Sequence, residues 1–281
     1  MKELFYRLNI GAKLGLAVIF SLIIVAFFAP LIAPYSPYSH ELAKRLEAPS
    51  YQHLLGLDEY GRDILSRLIY GAGISLYIGI FVVSISAILG ISLGLIAGYE
   101  AGWVDEIIMR ITDILLAFPG ILLAIALMAI LGASLNNVIL ALCLIGWVSY
   151  ARLTRGLVLQ VKEMSYILAA KAIGAGKIRI LIRHILPNIL SPIIIQATLG
   201  IAGVIISEAS LSFLGLGVEE GVPSWGAMLS GGREYMLKAP HLTIFPGLAI
   251  MITVLGFNFM GDGLRDALDP KHKLKEIPPN Y

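Results

Sequence analysis

Residues 68–99 read LIYGAGISLYIGIFVVSISAILGISLGLIAGY and contain no Asp, Glu, Lys or Arg. A helix needs about 20 mostly apolar residues to cross the roughly 30 Å hydrocarbon core of a bilayer, so this stretch spans with residues to spare. Three more charge-free stretches occur, at residues 14–40, 114–151 and 239–261. The stretch 114–151 is too long for one crossing and is interrupted at 132–137 by Gly-Ala-Ser-Leu-Asn-Asn, a cluster of turn formers. It reads as two helices joined by a tight turn, the first starting near Ile107. Residues 189–211, interrupted only by Glu208, supply one more crossing. The reading is an all-α polytopic membrane protein with six transmembrane helices.

Composition agrees. The 281 residues are 58% hydrophobic and 14% charged, with a mean hydropathy of +0.84, whereas soluble chains run near a quarter charged. A net charge of +2 says little by itself, because the basic residues of a membrane protein matter by position and not by sum, and nucleic acid is not expected as a partner. Cys143 is the single cysteine and lies in an apolar run, so neither an intrachain disulfide nor a cysteine metal cluster is available. Lys2, Arg7 and Lys13 ahead of residues 14–33 imitate a secretory leader, but the apolar stretch exceeds the usual ~7 to 15 residues and Pro30 and Pro34 crowd the cleavage site. It reads as a retained first span. With the N-terminus inside, 15 of the 21 Lys and Arg fall on inner segments, seven of them at 152–183, which predicts both termini in the cytoplasm. Gly90, Gly94 and Gly98 recur at four residues, the spacing that lets membrane helices approach closely.

Little catalytic chemistry is legible. Gly174-Ala175-Gly176-Lys177 imitates a phosphate-binding loop, but Lys171 and Ile178 stand where Gly and Ser or Thr are required. If ATP drives this chain, another subunit binds it. His40 and His53 fall in an outer segment, His184 and His241 at span ends and His272 in the tail, so none meets a nucleophile at mid-membrane depth. Arg110 and Asp113 share a helix face near a cytoplasmic end, where a local ion pair or snorkelling to the interface is expected. Glu208 follows Pro187 by 21 positions, about 31 Å of helix, which predicts an interfacial or subunit-contacting carboxylate at the outer boundary.

The inner loop between the fourth and fifth spans is more informative. Met164, Ile167 and Leu168 recur at three and four residues among interspersed basic residues, which predicts a short amphipathic helix. Gly174 then permits a sharp turn, a second helical piece runs over 177–186, and Pro187 opens the fifth span. Such a helix, with small Ala169 and Ala170, suits insertion into a partner's groove. Periodicity alone equally allows an interfacial helix resting on lipid.

Ala169-Ala170, Gly174 and His184-Ile185-Leu186-Pro187 resemble the EAA signature of ABC-importer permeases, with Leu168 where the family has Glu. Residues 53–67, HLLGLDEYGRDILSR, resemble the LGTDxxGRDxxSR stretch of C-type dipeptide and oligopeptide permeases, with Leu57 in place of Thr, and residues 207–217, SEASLSFLGLG, match their EASLSFLGLG element, continued by Pro223-Ser224-Trp225-Gly226. The likeness runs from the first span to Asp269-Pro270-Lys271. It implies a type I importer (MetI-like) permease fold in a prokaryotic inner membrane, with no catalytic residues and no cofactor or metal in this chain. Implied partners are a homologous B-type permease, two cytoplasmic ATPase subunits that bind ATP and Mg, and an extracytoplasmic solute-binding protein. Cargo in that family includes peptides, glutathione, nickel chelates and oligosaccharides. The resemblance assigns ATPase coupling to Ile167, Leu168, Ala169, Ala170, Lys171, Gly174, Ala175, His184, Leu186 and Pro187. It assigns binding-protein docking or an outer gate to Asp58, Gly61, Arg62, Asp63, Glu208, Ser212 and Trp225, within outer segments 35–70 and 212–240. The chain is expected to divide into residues 1–70 (first span and outer segment), a five-helix core at 71–264 with its coupling loop at 160–187, and a tail at 265–281.

Overall fold

The computed structural model describes residues 9–219 and 221–268; the Asp269-Pro270-Lys271 motif and most of the expected tail lie outside them. Among the described residues the structure is helical, apart from one isolated bridge between Leu57 and Asp63. The first helix, α1 (Ile10–Phe27), is capped by the Asn9 side chain, which accepts from the Ala12 amide at 2.7 Å. Pro30 sits in the first turn of the short α2 (Ala29–Ile32), where its missing N–H costs nothing. An irregular outer segment leads to α3 (Ile64–Glu100), whose 37 residues extend about 55 Å and so overshoot the bilayer core. The expected division at residue 70 falls inside this helix.

After a turn at Ala101 and Gly102, both at positive φ, come α4 (Gly102–Leu116) and α5 (Gly120–Leu131). The sequence reading ran one helix through this region. Instead the two are bent by 84° at Ala117-Phe118-Pro119, because a residue before proline is pushed out of the helical region and the proline ring cannot continue the ladder. The tight turn expected at 132–137 is present, with Ser134 capping α6 (Leu135–Val161). Next come α7 (Ser165–Ala172) and α8 (Lys177–Ile180), a π-helical turn at Leu181–Ile185, and α9 (Leu186–Phe213). The outer side carries α10 (Trp225–Gly232), and α11 (His241–Leu268) ends the described chain. Among the described residues five helices are long and apolar enough to cross a membrane, and the bent pair α4–α5, counted as one broken span, brings the number to six.

The glycine seam of α3 packs on α6. A methyl group at Gly94 would lie 2.6 Å from the Ala151 carbonyl and the Thr154 Cβ, and one at Gly98 would lie 2.7 Å from the Val158 Cβ, so only glycine admits this approach. On the far side α1 crosses α11 with Gly15 against the Gly256 backbone, which ties the N-terminal span to the last one. Between these pairs α9 packs on α3 and α11, and the bundle closes around it.

Candidate functional site

Two places concentrate the assigned residues, one at each end of the bundle. At the inner end, α7 is held by a single apolar knob. Ile167 is fully buried in one cluster with Val158 and Val161 of α6, Ile180 of α8, Ile185 of the π turn, and Ile189 and Ile193 of α9. A displacement of α7 is therefore delivered to two membrane helices through close-packed side chains, which do not compress. Outward faces Leu168, 49% exposed, with Ala169, Lys171 and Gly174 also exposed. The two alanines divide, since Ala170 turns inward at 7% exposure, and a partner would meet Ala169 alone.

The turn after α7 is built as the sequence suggested. Gly174 has φ of +83°, the Gly174 amide donates to the Lys171 carbonyl at 3.0 Å, and the Ala175 amide donates to the Ala170 carbonyl at 3.0 Å. These two bonds satisfy the last carbonyls of α7 and need a left-handed residue between them. Beyond it Pro187 sits in the first turn of α9, as expected, and Lys177–Phe213 is one continuous path. The Leu186 amide reaches back to the Leu181 carbonyl, a widened π turn that makes room for the proline ring one residue later. His184 lies in this turn, and its carbonyl accepts from Asn188 at 2.6 Å.

Three lysines of this loop converge on the end of α3, a cluster the sequence reading missed. Lys162 donates to the Gly98 carbonyl at 3.0 Å, Lys171 lies 5.4 Å from the centre of the Tyr99 ring, and Lys177 pairs with Glu100 at 2.8 Å. Cations there complete the open carbonyls of a helix C-terminus. Nearby, α4 crosses α6 through Arg155–Asp105 at 2.5 Å and Arg152–Asp113 at 2.7 Å. The expected Arg110–Asp113 pair is thus replaced, Asp113 reaching across to α6 while Arg110 lies 3.9 Å from Glu106.

The outer site is a buried knot. Asp58 Oδ1 accepts from the Tyr60 and Arg62 amides at 2.9 and 2.8 Å, and its Oδ2 accepts from Arg62 Nε at 2.7 Å, with Arg67 at 3.5 Å. Gly61, at φ +73°, lets the chain turn against the Glu41 backbone. Asp63 caps α3 by accepting from the Ser66 amide and hydroxyl at 2.8 and 2.7 Å, and its other oxygen faces His53 at 3.0 Å. Arg67 donates to the Pro37 and Gly221 carbonyls at 3.3 and 3.4 Å, which joins both outer segments. Trp225, 1% exposed, donates its indole N–H to the Leu68 carbonyl at 3.1 Å. Glu208 was expected to face a boundary or another subunit. It is instead 1% exposed, accepting from Ser212 at 2.8 Å, where Gly226 of α10 lies against the α9 backbone. The assigned outer residues, Asp58 through Trp225, are therefore buried within this chain, and the same outer segments expose Tyr51, Leu54, Met236 and Leu237.

A multi-pass bundle that offers an exposed short helix anchored to two of its spans has the architecture of an importer's membrane subunit. The chain belongs to the family of binding-protein-dependent transport system inner membrane components, whose model matches residues 90–274, and it is a permease subunit of an ABC importer in a cell inner membrane. Residues 6–49 match the N-terminal TM domain of oligopeptide transport permease C. The dipeptide transport system permease protein DppC of Alkalihalophilus pseudofirmus is 50% identical over 97% of this chain and 90% of its own length. The glutathione transport system permease proteins GsiD of Pectobacterium atrosepticum and Escherichia coli O6:K15:H31 are 50% and 52% identical, each over 96% of this chain and 89% of theirs. A chain of the MetNI methionine ABC transporter, solved in inward-facing conformations, superposes with a TM-score of 0.59 at 19% identity, covering 73% of this chain and 98% of that one. The expected MetI-like fold is present.

Proposed function

We propose that this chain carries short peptides, delivered by an extracytoplasmic binding protein, across the inner membrane together with a homologous B-type permease. Two cytoplasmic ATPase subunits bind ATP and Mg and dock on α7, and this chain performs no catalysis itself. What carries the reading is the Ile167 anchor, because a push on the exposed Leu168 and Ala169 face reaches α6 and α9 without slack. Closure of the ATPases then opens the outer side, and hydrolysis resets it. Both termini lie in the cytoplasm, which puts residues 160–187 on the side where ATP is. The binding protein docks on the outer segments through Tyr51, Leu54, Met236 and Leu237, while the buried knot holds that surface in shape. The dipeptide and glutathione permease relatives support a main-chain amide solute as cargo.

The test is uptake into proteoliposomes by the assembled complex, with trialanine and glutathione competing for the binding protein. ATP-dependent, ionophore-insensitive uptake is expected. Uptake by the purified single chain that collapses with a proton ionophore would instead identify a secondary carrier. A methyl at Gly174 meets nothing within 4 Å, so Gly174→Trp adds bulk only on the docking side. It should leave membrane insertion intact and abolish solute-stimulated ATP hydrolysis.

A further inference from the structure

Arg183 closes the inner end of a charge-free run, residues 184–207, about 36 Å of helix that contains the hydrocarbon core of roughly 30 Å. Arg183 therefore stands at headgroup depth, and Arg179, four residues earlier, lies about 6 Å further from the core. Both are exposed, and among the described residues neither has a hydrogen bond, ion pair or ring contact. The lysines of this loop are engaged, Lys162 on the Gly98 carbonyl, Lys171 over Tyr99 and Lys177 on Glu100, the acid at that end of α3. Ile178 and Ile182, one position before each arginine, are 74% and 60% exposed. Residues four apart share a face both in α8 and in the π turn that follows it, so the arginines form one row and the isoleucines the row beside it. The remaining side of the segment is already committed, with Ile180 and Ile185 buried in the Ile167 cluster.

We propose that this double row is a binding site for anionic phospholipid of the cytoplasmic leaflet. Arg179 and Arg183 hold headgroup phosphates through their paired guanidinium N–H groups, and Ile178 and Ile182 rest against the upper acyl chains. The contact fixes the segment after the Gly174 turn to the bilayer, so a push on α7 moves α6 and α9 instead of lifting the loop from the membrane. The inference rests on the importer reading above, which places this end of the bundle in the cytoplasm, and adds to it a lipid on which coupling depends. Depth decides the occupant: a cationic row level with the phosphates meets lipid, whereas a soluble subunit meets what projects into water. Each basic residue at an anionic membrane surface strengthens binding about fivefold.

The experiment uses the assembled complex in nanodiscs of phosphatidylcholine, alone or mixed equally with phosphatidylglycerol. Ile178→Cys carries a benzophenone maleimide, and the native chain, whose Cys143 is buried, is the labelling control. Irradiation of the mixed discs should yield lipid adducts in which phosphatidylglycerol is favoured at least about fivefold, read by mass spectrometry. Arg179→Gln with Arg183→Gln should abolish the preference, the corresponding Lys pair should keep most of it, and inorganic phosphate at constant ionic strength should not compete. Ile182→Cys repeats the test if Ile178→Cys fails to assemble. Solute-stimulated ATP hydrolysis by the native complex should be several-fold faster with phosphatidylglycerol, and the Gln pair should show the slower rate in both discs. Equal yields from the two lipids, adducts to an ATPase subunit alone, a preference lost to inorganic phosphate, or stimulation indifferent to lipid charge would each overturn the inference. The importer reading fails by a different result. If the native complex shows no solute-stimulated hydrolysis in either disc, that reading falls, while the adducts still decide the lipid site.

Discussion

Lys177 Nζ lies 2.8 Å from a carboxylate oxygen of Glu100, a link between the segment that follows α7 and the last residue of α3. Both side chains are largely exposed, at 66% and 40%, so the pair adds little to stability. Its consequence is positional. With Lys162 on the Gly98 carbonyl and Lys171 over Tyr99, it gives α7 and the residues flanking it a third attachment, to the helix whose glycine seam grips α6.

Lys177→Glu is expected to leave the melting temperature of the solubilised chain nearly unchanged and to lower solute-stimulated ATP hydrolysis several-fold. Glu100→Lys should do the same. The double exchange restores an attractive pair and should recover most of the stimulation, and raising salt should weaken the wild-type link while leaving the apolar anchor intact. If the double exchange is as poor as either single variant, the link is not what positions α7.

Ile167 and Ala169 separate anchoring from docking on one short helix. Ile167→Ala removes a fully buried side chain from the cluster that joins α6, α7 and α9 and should cost about 2 to 5 kcal/mol, seen as faster amide exchange across residues 165–175. Ala169→Leu adds bulk to the exposed face, should change stability by less than about 0.5 kcal/mol, and should abolish ATPase stimulation by blocking the groove. Equal exchange rates in Ile167→Ala and wild type would refute the anchoring.

The span count was legible because charge-free length is a direct consequence of the bilayer, and the Gly90, Gly94 and Gly98 seam because small residues at four have one use in a long apolar helix. The 84° bend at Phe118 and Pro119 was not read, since hydropathy is blind to direction and the apolar run continues straight through it. A proline preceded by an aromatic in the middle of a span was the available signal. The short helix α7 was legible from its period and its closing glycine. Its clamp was not, because the short turn at 100–106 looked uninformative for orientation. Its excess of acidic residues opposite the basic stretch 152–183 was the clue, since it supplies Glu100 to Lys177 and Asp105 to Arg155, while Gly98 and Tyr99 just ahead of it take the other two lysines. At the outer site the motif residues were found, but sequence does not distinguish a conspicuous charge that faces a partner from one buried to fix a loop. Asp58, Arg62 and Asp63 prove to be of the second kind.

A side chain placed at Gly174 is strained by conformation and not by lack of space. The φ of +83° there disfavours a Cβ, while nothing lies within 4 Å of where that Cβ would sit. Substitutions should therefore rank by tolerance of the left-handed region: Asn mildest, Ala costing about 1 kcal/mol, Val worst. Stimulated ATP hydrolysis should fall in the same order. A ranking by side-chain volume instead, with Asn worse than Ala, would show that docking clearance and not turn geometry fixes this position.

Glu59 should make the outer knot sensitive to pH. Burial pushes its carboxyl above the ordinary value of 4.5, Asp58 adds to the rise, and Arg62 and Arg67 only partly oppose it. Its carboxylate rests on Gly231 of α10 and lies 3.3 Å from Arg62, so it bridges the two outer segments. The folded chain holds the Glu59 proton to higher pH than the unfolded chain does. Between those two values the native state binds more protons, and stability falls as pH rises; above the folded value the whole penalty is present. Glu59→Gln removes the ionisation yet keeps an oxygen for Arg62. It should raise the melting temperature at neutral pH, with the difference from wild type shrinking toward about pH 4, where Glu59 is protonated in both states. Melting curves of the solubilised chain across that range decide it: a Gln variant less stable than wild type at neutral pH would mean that the Arg62 pair outweighs burial, and that ionised Glu59 strengthens the knot instead of weakening it.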